Sequence, residues 1–116
     1  MGETRFRGKV VPCSVEVTLK VIGGKYKPIL LYLLDEWKVL RFGELRRLVP
    51  QASKKMLTQQ LRELESDGLI DRKVFHQVPP KVEYSLSRRG RSLEPILTAM
   101  GAWGKKYATI YENKEE

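Results

Sequence analysis

Five polar residues in the middle of the sequence are of types that bind nucleic acid, and their spacing puts them on one side of a predicted helix. They are Lys54, Lys55, Thr58, Gln59 and Arg62. Lysine and arginine bind phosphates or guanine edges, glutamine pairs with adenine, and threonine contacts the methyl group of thymine. A helix of about 15 residues is roughly 22 Å long and about 10 to 12 Å wide, which matches the major groove of DNA. The pattern therefore predicts a surface that contacts bases and phosphates.

The same helix is predicted to attach to a core through its opposite side. Leu57, Leu61 and Leu64 recur at steps of four and three and form one apolar stripe. Ser53 is a good N-cap, and Gly68 stops the helix near residue 67. Every amphipathic helix has a polar face, so the polar residues alone fit solvation as well as DNA binding. The charge gradient favours DNA, because basic side chains lie near the N-terminal end and acidic ones near the other.

A shorter helix precedes this one. The segment RFGELRRLV, residues 41–49, begins extended and continues as a helix of about two turns, which Pro50 ends. Leu45, Leu48 and Val49 are expected to face inward. Two short helices joined by a turn of about four residues form a helix-turn-helix candidate. The basic residues expected to contact phosphates beside the groove are Arg41, Arg46 and Arg47.

A hairpin is predicted after Gly68. Residues 69–75 and 81–86 alternate apolar and polar side chains with period two, and Pro79 and Pro80 stiffen the tip between them. We expect this loop to lie along the minor groove or the DNA backbone through His76, Gln77 and Lys81. The alternative is a plain turn whose polar side chains are only solvated.

The remaining elements complete a fold that is mainly α with a small β-hairpin wing. Residues 1–12 show no periodicity and predict a mobile arm. Helices are predicted from Ser14 or Val15 to Ile22 and from about Lys27, the latter with an apolar block at residues 29–34 that is buried nearly all round. Residues 35–38 turn the chain, and residues 40–42 add an edge strand. This order is that of a winged helix-turn-helix of the α+β class.

The C-terminal segment predicts a long dimerisation helix. Ser87 can cap it, and it either begins near Ser92 or kinks at Pro95. Its apolar residues exceed what one helix of a small core needs, which favours pairing with a second copy of the chain. The alternative is that this helix folds back onto its own domain. The predicted interface comprises Val15, Leu19, Ile22, Leu93, Ile96, Leu97, Met100, Trp103, Tyr107, Ile110 and Tyr111.

Length and charge limit the classes of function. The 116 residues suffice for one domain, and 22 Lys and Arg against 14 Asp and Glu give a net charge of +8. Residues 91–116 hold four basic and four acidic residues, so the whole excess lies in residues 1–90. This excess favours nucleic acid over a membrane surface as partner. No segment has the ~20 apolar residues of a membrane span or the pattern of a signal peptide, and a single cysteine suits a reducing compartment, so we expect a cytoplasmic protein.

Five segments of the sequence resemble the HxlR-type branch of the MarR-like winged-helix regulators. They are CSVEVTLKVIGGKYKPILLYLL, RFGELRRLVP, SKKMLTQQLRELESDGLIDR, VPPKVEYSLSRRGRSL and the Ala-Trp-Gly of residues 102–104. The resemblance covers about residues 13–107 and implies a dimeric, DNA-binding transcriptional regulator of a bacterium or archaeon. It also implies that residues 53–62 begin the recognition helix and that residues 78–81 are the wing. The predicted organisation is an arm at 1–12, an HxlR-type domain with its dimerisation helix at 13–112, and a tail at 113–116.

The resemblance also makes Cys13 a candidate sensor. Several members of the family use a cysteine just before the first helix to sense oxidants or electrophiles such as quinones and aldehydes, although Ser14 stands where many of them have proline. With one cysteine, a response needs a disulfide between subunits, a mixed disulfide with a small thiol, or alkylation. The alternative is a half-buried thiol that packs as a small apolar group. One cysteine and one histidine predict no metal site, and we expect no cofactor.

The sequence thus predicts a transcriptional regulator that binds double-stranded DNA as a homodimer on a near-palindromic operator, without enzyme activity. A small molecule or a thiol-reactive compound is a candidate effector. Base specificity is assigned to Lys55, Thr58 and Gln59. Two alternatives are a winged-helix module that binds an acidic protein and a nonspecific nucleic-acid-binding module; both predict no sequence preference on DNA. A thiol enzyme using Cys13 lacks a second catalytic group, because His76 lies at the distant wing.

Overall fold

The structure of the protein is a computed structural model that describes residues 3–114. Met1 and Gly2 of the predicted arm, and Glu115 and Glu116 of the predicted tail, lie outside the described residues. The strands are β1 (Thr4–Phe6), β2 (Lys9–Val11), β3 (Val39–Arg41), β4 (Ile70–Phe75) and β5 (Lys81–Leu86). The helices are α1 (Ser14–Ile22), α2 (Lys27–Trp37), α3 (Phe42–Leu48), α4 (Lys54–Ser66), α5 (Arg88–Arg91) and α6 (Glu94–Tyr107), followed by a 3₁₀ helix (Ala108–Lys114).

The predicted winged helix-turn-helix is confirmed. Helices α3 and α4 form the helix-turn-helix, and β4 and β5 form the antiparallel hairpin, paired from Ile70 opposite Leu86 to Phe75 opposite Lys81. The third strand, β3, pairs with β5 to give the order β3-β5-β4. It is the edge strand that the sequence predicts, shifted by one residue.

A leucine core fixes α4 in place. Leu57, Leu61 and Leu64 are fully buried, together with leucines of α2 and α3. Burial of a leucine side chain contributes about 1.5–3 kcal/mol, so three on one face hold the helix firmly to the domain. Gly68, with φ 75°, takes the left-handed conformation that ends α4, as expected from its place in the sequence.

Three predictions for the first half of the domain are wrong. Helix α2 continues to Trp37 instead of turning at residue 35, and its apolar block is not buried all round, since Ile29 and Tyr32 are each 41% exposed. Leu48 is also exposed, because α3 turns only Leu45 and Val49 toward the core. Helical periodicity places residues on faces but does not show which faces neighbouring elements cover.

The N-terminal segment contains a hairpin where the sequence predicts an arm without regular structure. Strands β1 and β2 pair through a two-residue turn at Arg7 and Gly8, both with positive φ, as in a type I′ turn. Arg7 Nη2 lies 2.9 Å from Asp67 Oδ1 at the C-terminal end of α4. Strands of three residues are too short for alternation to show, so this hairpin leaves little sequence signal.

The C-terminal segment forms two helices, the short α5 and the long α6, where the sequence predicts one. Ser87 Oγ accepts a hydrogen bond from Gly90 N at 3.0 Å and caps the short α5 rather than the long helix. Helix α6 then starts at Glu94, with Pro95 in its first turn, where its missing N–H costs nothing. Of the two alternatives, the structure confirms a fresh start after residue 92 and not a kink.

Candidate nucleic-acid interface

The N-terminal half of α4 presents the predicted reading residues on its outer side. Lys54, Lys55, Gln59 and Arg62 are exposed, and Thr58 is half-buried. Ser53 Oγ accepts a hydrogen bond from Met56 N at 3.0 Å, so the helix begins at the predicted cap. Together with Glu63, the five residues line one concavity of about 680 Å³. The structure therefore places the five predicted residues on one surface, which we call the reading surface.

Two of these side chains already have partners on the helix. Thr58 Oγ1 donates to the carbonyl oxygen of Lys54 at 2.8 Å, which leaves its methyl group and oxygen lone pairs for a ligand. Gln59 Nε2 donates to Glu63 Oε2 at 3.2 Å. The amide of Gln59 is thus oriented by a neighbour one helical turn away.

A buried lysine holds that neighbour. Lys27 Nζ lies 2.6 Å from Glu63 Oε1, and the side chain of Lys27 is only 6% exposed against 43% for Glu63. The hydrogen bond from Lys27, followed by that from Gln59, lowers the pKa of the Glu63 carboxyl below its usual value of 4.5. Glu63 is therefore ionised at neutral pH. The sequence analysis missed this pair because its partners lie far apart in the chain and on different helices.

Three arginines that the sequence predicts as phosphate contacts lie on the elements that precede α4 in the chain. Arg41, at the end of β3, and Arg46 and Arg47, on α3, are all exposed. Within residues 3–114, none of their guanidinium groups forms an ion pair. Glu44 instead accepts a hydrogen bond from the backbone N of Arg41 at 2.8 Å, which fixes the start of α3. Their charges are available for phosphates.

The three predicted contact residues of the wing differ in exposure and in pairing. His76 and Gln77 are exposed at the tip. Lys81 is half-buried, with Nζ 3.4 Å from Glu83 Oε2 and 4.4 Å from the centroid of the Phe75 ring. Because this lysine is paired, it is a weaker candidate for a phosphate contact than a free lysine.

One basic residue missed by the sequence analysis lies beside α4. Arg72 of β4 is exposed and shares a cavity of about 310 Å³ with Thr58 and Arg62. Arg72 and Val74 are two residues apart and both exposed, so they share one face of the strand. Only the packing of the sheet against α4 brings Arg72 to the reading surface. Arg72 joins the candidate interface.

Residues 21–112 match the model of the HxlR-like helix-turn-helix family. The chain belongs to this HxlR-like family. Among relatives, YybR of Bacillus subtilis, an uncharacterized HTH-type transcriptional regulator, is 54% identical over 101 residues, which cover 87% of this chain and 80% of YybR.

Solved structures of other regulators share the fold. The redox regulator HypR in its reduced form matches with a TM-score of 0.81 at 53% identity, over 86% of this chain and 98% of HypR. The reduced form of the transcriptional regulator YodB from B. subtilis matches with a TM-score of 0.70 at 28% identity, over 84% of this chain and 95% of YodB. This HxlR-family chain is a DNA-binding transcriptional regulator.

Much of the predicted dimer interface of this HxlR-family chain lies on the surface. The exposed apolar residues on α1, α6 and the 3₁₀ helix are Val15, Leu19, Ile96, Met100, Trp103, Ile110 and Tyr111. The Trp103 ring is 4.9 Å from the Tyr107 ring, which is half-buried, and 6.4 Å from that of Tyr111. Three predicted members pack instead in the chain's own core: Ile22 and Leu97 are buried, and Leu93 is partly buried against the core cluster. Ile22 and Leu97 therefore add little exposed surface to a dimer interface.

An apolar groove adds two residues to this face. It has a volume of about 280 Å³ between α2 and α6, and its lining includes Ile29, Tyr32 and Met100. The exposed side of α2 is therefore continuous with that of α6. We call Ile29, Tyr32, Ile96, Met100 and Trp103 the apolar face.

Cys13 lies where the family resemblance places a sensor. It directly precedes α1, is half-buried, and its carbonyl oxygen accepts a hydrogen bond from Glu16 N at 2.9 Å. Across the described part of the chain, no cluster of three or more His, Cys, Asp or Glu side chains is arranged to hold a metal ion. None of the described helices combines the length and the apolar character that a membrane span requires.

Proposed function

We propose that the protein regulates transcription by binding a near-palindromic operator as a homodimer, with α4 of each subunit in the major groove and the wing beside it. The observation that carries this proposal is the division of α4 into two faces. Its leucine stripe is fully buried, while Lys55, Gln59 and Arg62 stand exposed in one concavity. The functional act is binding, not catalysis.

Base reading and phosphate binding fall to different residues. Lys55, Thr58 and Gln59 lie on the part of α4 that enters the groove and supply the base contacts. The basic residues around them position the duplex: Arg41, Arg46, Arg47, Lys54, Arg62 and Arg72. Each phosphate contact contributes about 0.9 to the slope of log affinity against log salt, so binding should weaken steeply as salt rises.

Selection from randomised duplex DNA at near-physiological salt tests the assignment. The wild type should recover a two-part site with half-sites about one helical turn, roughly 34 Å, apart. Lys55→Ala/Gln59→Ala should lose the preference at the positions these residues read, because it keeps the flanking arginines but removes the base contacts. Arg88→Ala, which changes an exposed basic residue of α5, is the matched control and should recover the wild-type site.

A different result would favour another function. Recovery of no motif, with binding that disappears as salt rises, would mean that the basic surface is nonspecific. In that case an acidic protein partner becomes the better explanation of the same surface.

We further propose that Cys13 makes the regulator responsive to oxidants or electrophiles. Its position directly before α1 and the likeness to redox regulators such as HypR support this role. Two Cys13 thiols, one from each subunit, can form a disulfide by giving two protons and two electrons to diamide, whose N=N bond is reduced to the hydrazine. Alternatively, one thiol can add to the carbonyl of an aldehyde without oxidation.

The test compares operator binding by the wild type and Cys13→Ser before and after treatment with diamide or methylglyoxal. The wild-type affinity should change on treatment, and that of Cys13→Ser should not. If both proteins respond equally, or if the wild type does not respond, Cys13 is not the sensor.

A further inference from the structure

A chain of three side chains links the buried core to the exposed amide of Gln59, on the proposed DNA-binding side of α4. The ammonium group of Lys27 binds one oxygen of the Glu63 carboxylate at 2.6 Å, and Gln59 Nε2 donates to the other oxygen at 3.2 Å. Both carboxylate oxygens are therefore engaged, one by a buried cation and one by an exposed reading residue.

This arrangement fixes which end of the Gln59 amide faces Glu63. An ionised carboxylate only accepts hydrogen bonds, so Gln59 must turn its NH₂ group toward it and not its carbonyl oxygen. Glu63 stays ionised because it pairs with Lys27, as its lowered pKa reflects.

Lys27 has little freedom to move away. A Cβ atom at Gly24 would lie 3.3 Å from Lys27 Cδ and 2.8 Å from Gln60 Oε1, so the side chain is packed on that side. Gln60 is itself buried and accepts a hydrogen bond from Tyr26 N at 3.3 Å. Lys27, which holds Glu63 in place, is thus packed within the core.

The orientation has a consequence for base recognition. With one N–H bound to Glu63, the Gln59 amide keeps one N–H donor and its carbonyl acceptor. Adenine presents an acceptor at N7 and a donor at N6 in the major groove, which match these two groups. Guanine presents acceptors at both N7 and O6, and to bind both the amide would have to give up Glu63.

We propose that Lys27 and Glu63 are positioning residues that set the base preference of Gln59, so that it accepts adenine and rejects guanine. This inference rests on the proposed function, because Gln59 must lie in the major groove for its orientation to matter. The ion pair has a further use there, since Lys27 neutralises a carboxylate that would otherwise repel the phosphates.

The experiment measures operator affinity with adenine or guanine at the base pair that Gln59 reads, identified as the position at which Gln59→Ala loses its preference. The wild type should favour adenine by about tenfold or more, the discrimination typical of one good side-chain contact. In Glu63→Gln the preference for adenine should fall to about threefold or less. The new amide must turn its oxygen toward Lys27, which only donates, and therefore its NH₂ group toward Gln59, so the Gln59 amide no longer has to direct an N–H at residue 63. Preferences at the other positions should stay unchanged.

Three further variants make the test specific. Glu65→Gln removes the same charge from an exposed site on α4 and should keep the wild-type ratio. Lys27→Met/Glu63→Met removes the pair without leaving a buried charge unpaired. Its affinities for adenine and guanine operators should become similar, while thermal melting should show a folded protein. Gln59→Ala/Glu63→Gln should show no less discrimination than Gln59→Ala alone.

Several outcomes would overturn the inference. If Glu63→Gln keeps the full ratio, or Glu65→Gln loses it equally, Glu63 does not position Gln59. If the wild type selects a motif that Gln59→Ala leaves unchanged, Gln59 is not the reader and the proposed function stands without this inference. If the wild type selects no motif, the proposed function fails and the inference fails with it.

Discussion

A Met100→Glu/Trp103→Glu variant should be monomeric and should bind the operator about 100-fold or more weakly than the wild type, because it loses the second half of a bivalent contact. Both side chains are exposed on α6 and belong to the apolar face. Burying two carboxylates in a subunit interface costs more than the interface can offset, since a buried charge without a partner is strongly unfavourable. Sedimentation velocity and operator titration measure the two effects.

The control is Ala102→Glu, which adds one carboxylate to the same helix on a side turned away from Met100 and Trp103. It should remain dimeric with affinity near that of the wild type. Because the two substituted side chains are exposed in the subunit, the double variant should also keep a cooperative thermal transition. A double variant that is still dimeric and binds with full affinity would place the dimer interface elsewhere.

Gly90→Ala should lower the free energy of unfolding by about 3 kcal/mol or more. A Cβ atom at this position would lie 2.0 Å from the carbonyl oxygen of Leu69. That oxygen also accepts a hydrogen bond from Ser87 N at 3.0 Å, and Leu69 is buried at the entrance to β4. The backbone therefore cannot move away without breaking the junction between α5 and the sheet. Urea denaturation followed by circular dichroism measures the loss.

Gly43→Ala is the matched control for Gly90→Ala. A Cβ atom there meets only the Arg47 side chain, at 3.9 Å, which is an ordinary contact. Alanine also favours a helix over glycine, so this variant should be as stable as the wild type or slightly more stable. Equal stability of the two alanine variants would show that α5 has room to move away from Leu69.

Patterns within short stretches of sequence were enough to predict the helix-turn-helix and its reading surface. Leu57, Leu61 and Leu64 lie within one helix, and Ser53 and Gly68 mark its ends within a few residues. These patterns depend on local geometry, so a single sequence is enough to read them.

The features that the sequence analysis missed depend on contacts between distant segments. The exposure of Ile29 and Tyr32 depends on where α6 crosses α2, and the place of Arg72 depends on how the sheet packs beside α4. The pairing of Lys27 with Glu63 joins two helices far apart in the chain. No periodicity within a segment contains this information.

The exposed indole groups give the protein an internal optical signal. The sequence has two tryptophans, and in the subunit Trp37, at the end of α2, and Trp103, on the apolar face, are both more than half exposed. Association through the apolar face would remove Trp103 from water and leave Trp37 hydrated. Fluorescence emission would then contain one shielded and one quencher-accessible component. Dissociation of the dimer could be followed in unlabelled protein, at the dilution at which the operator is bound.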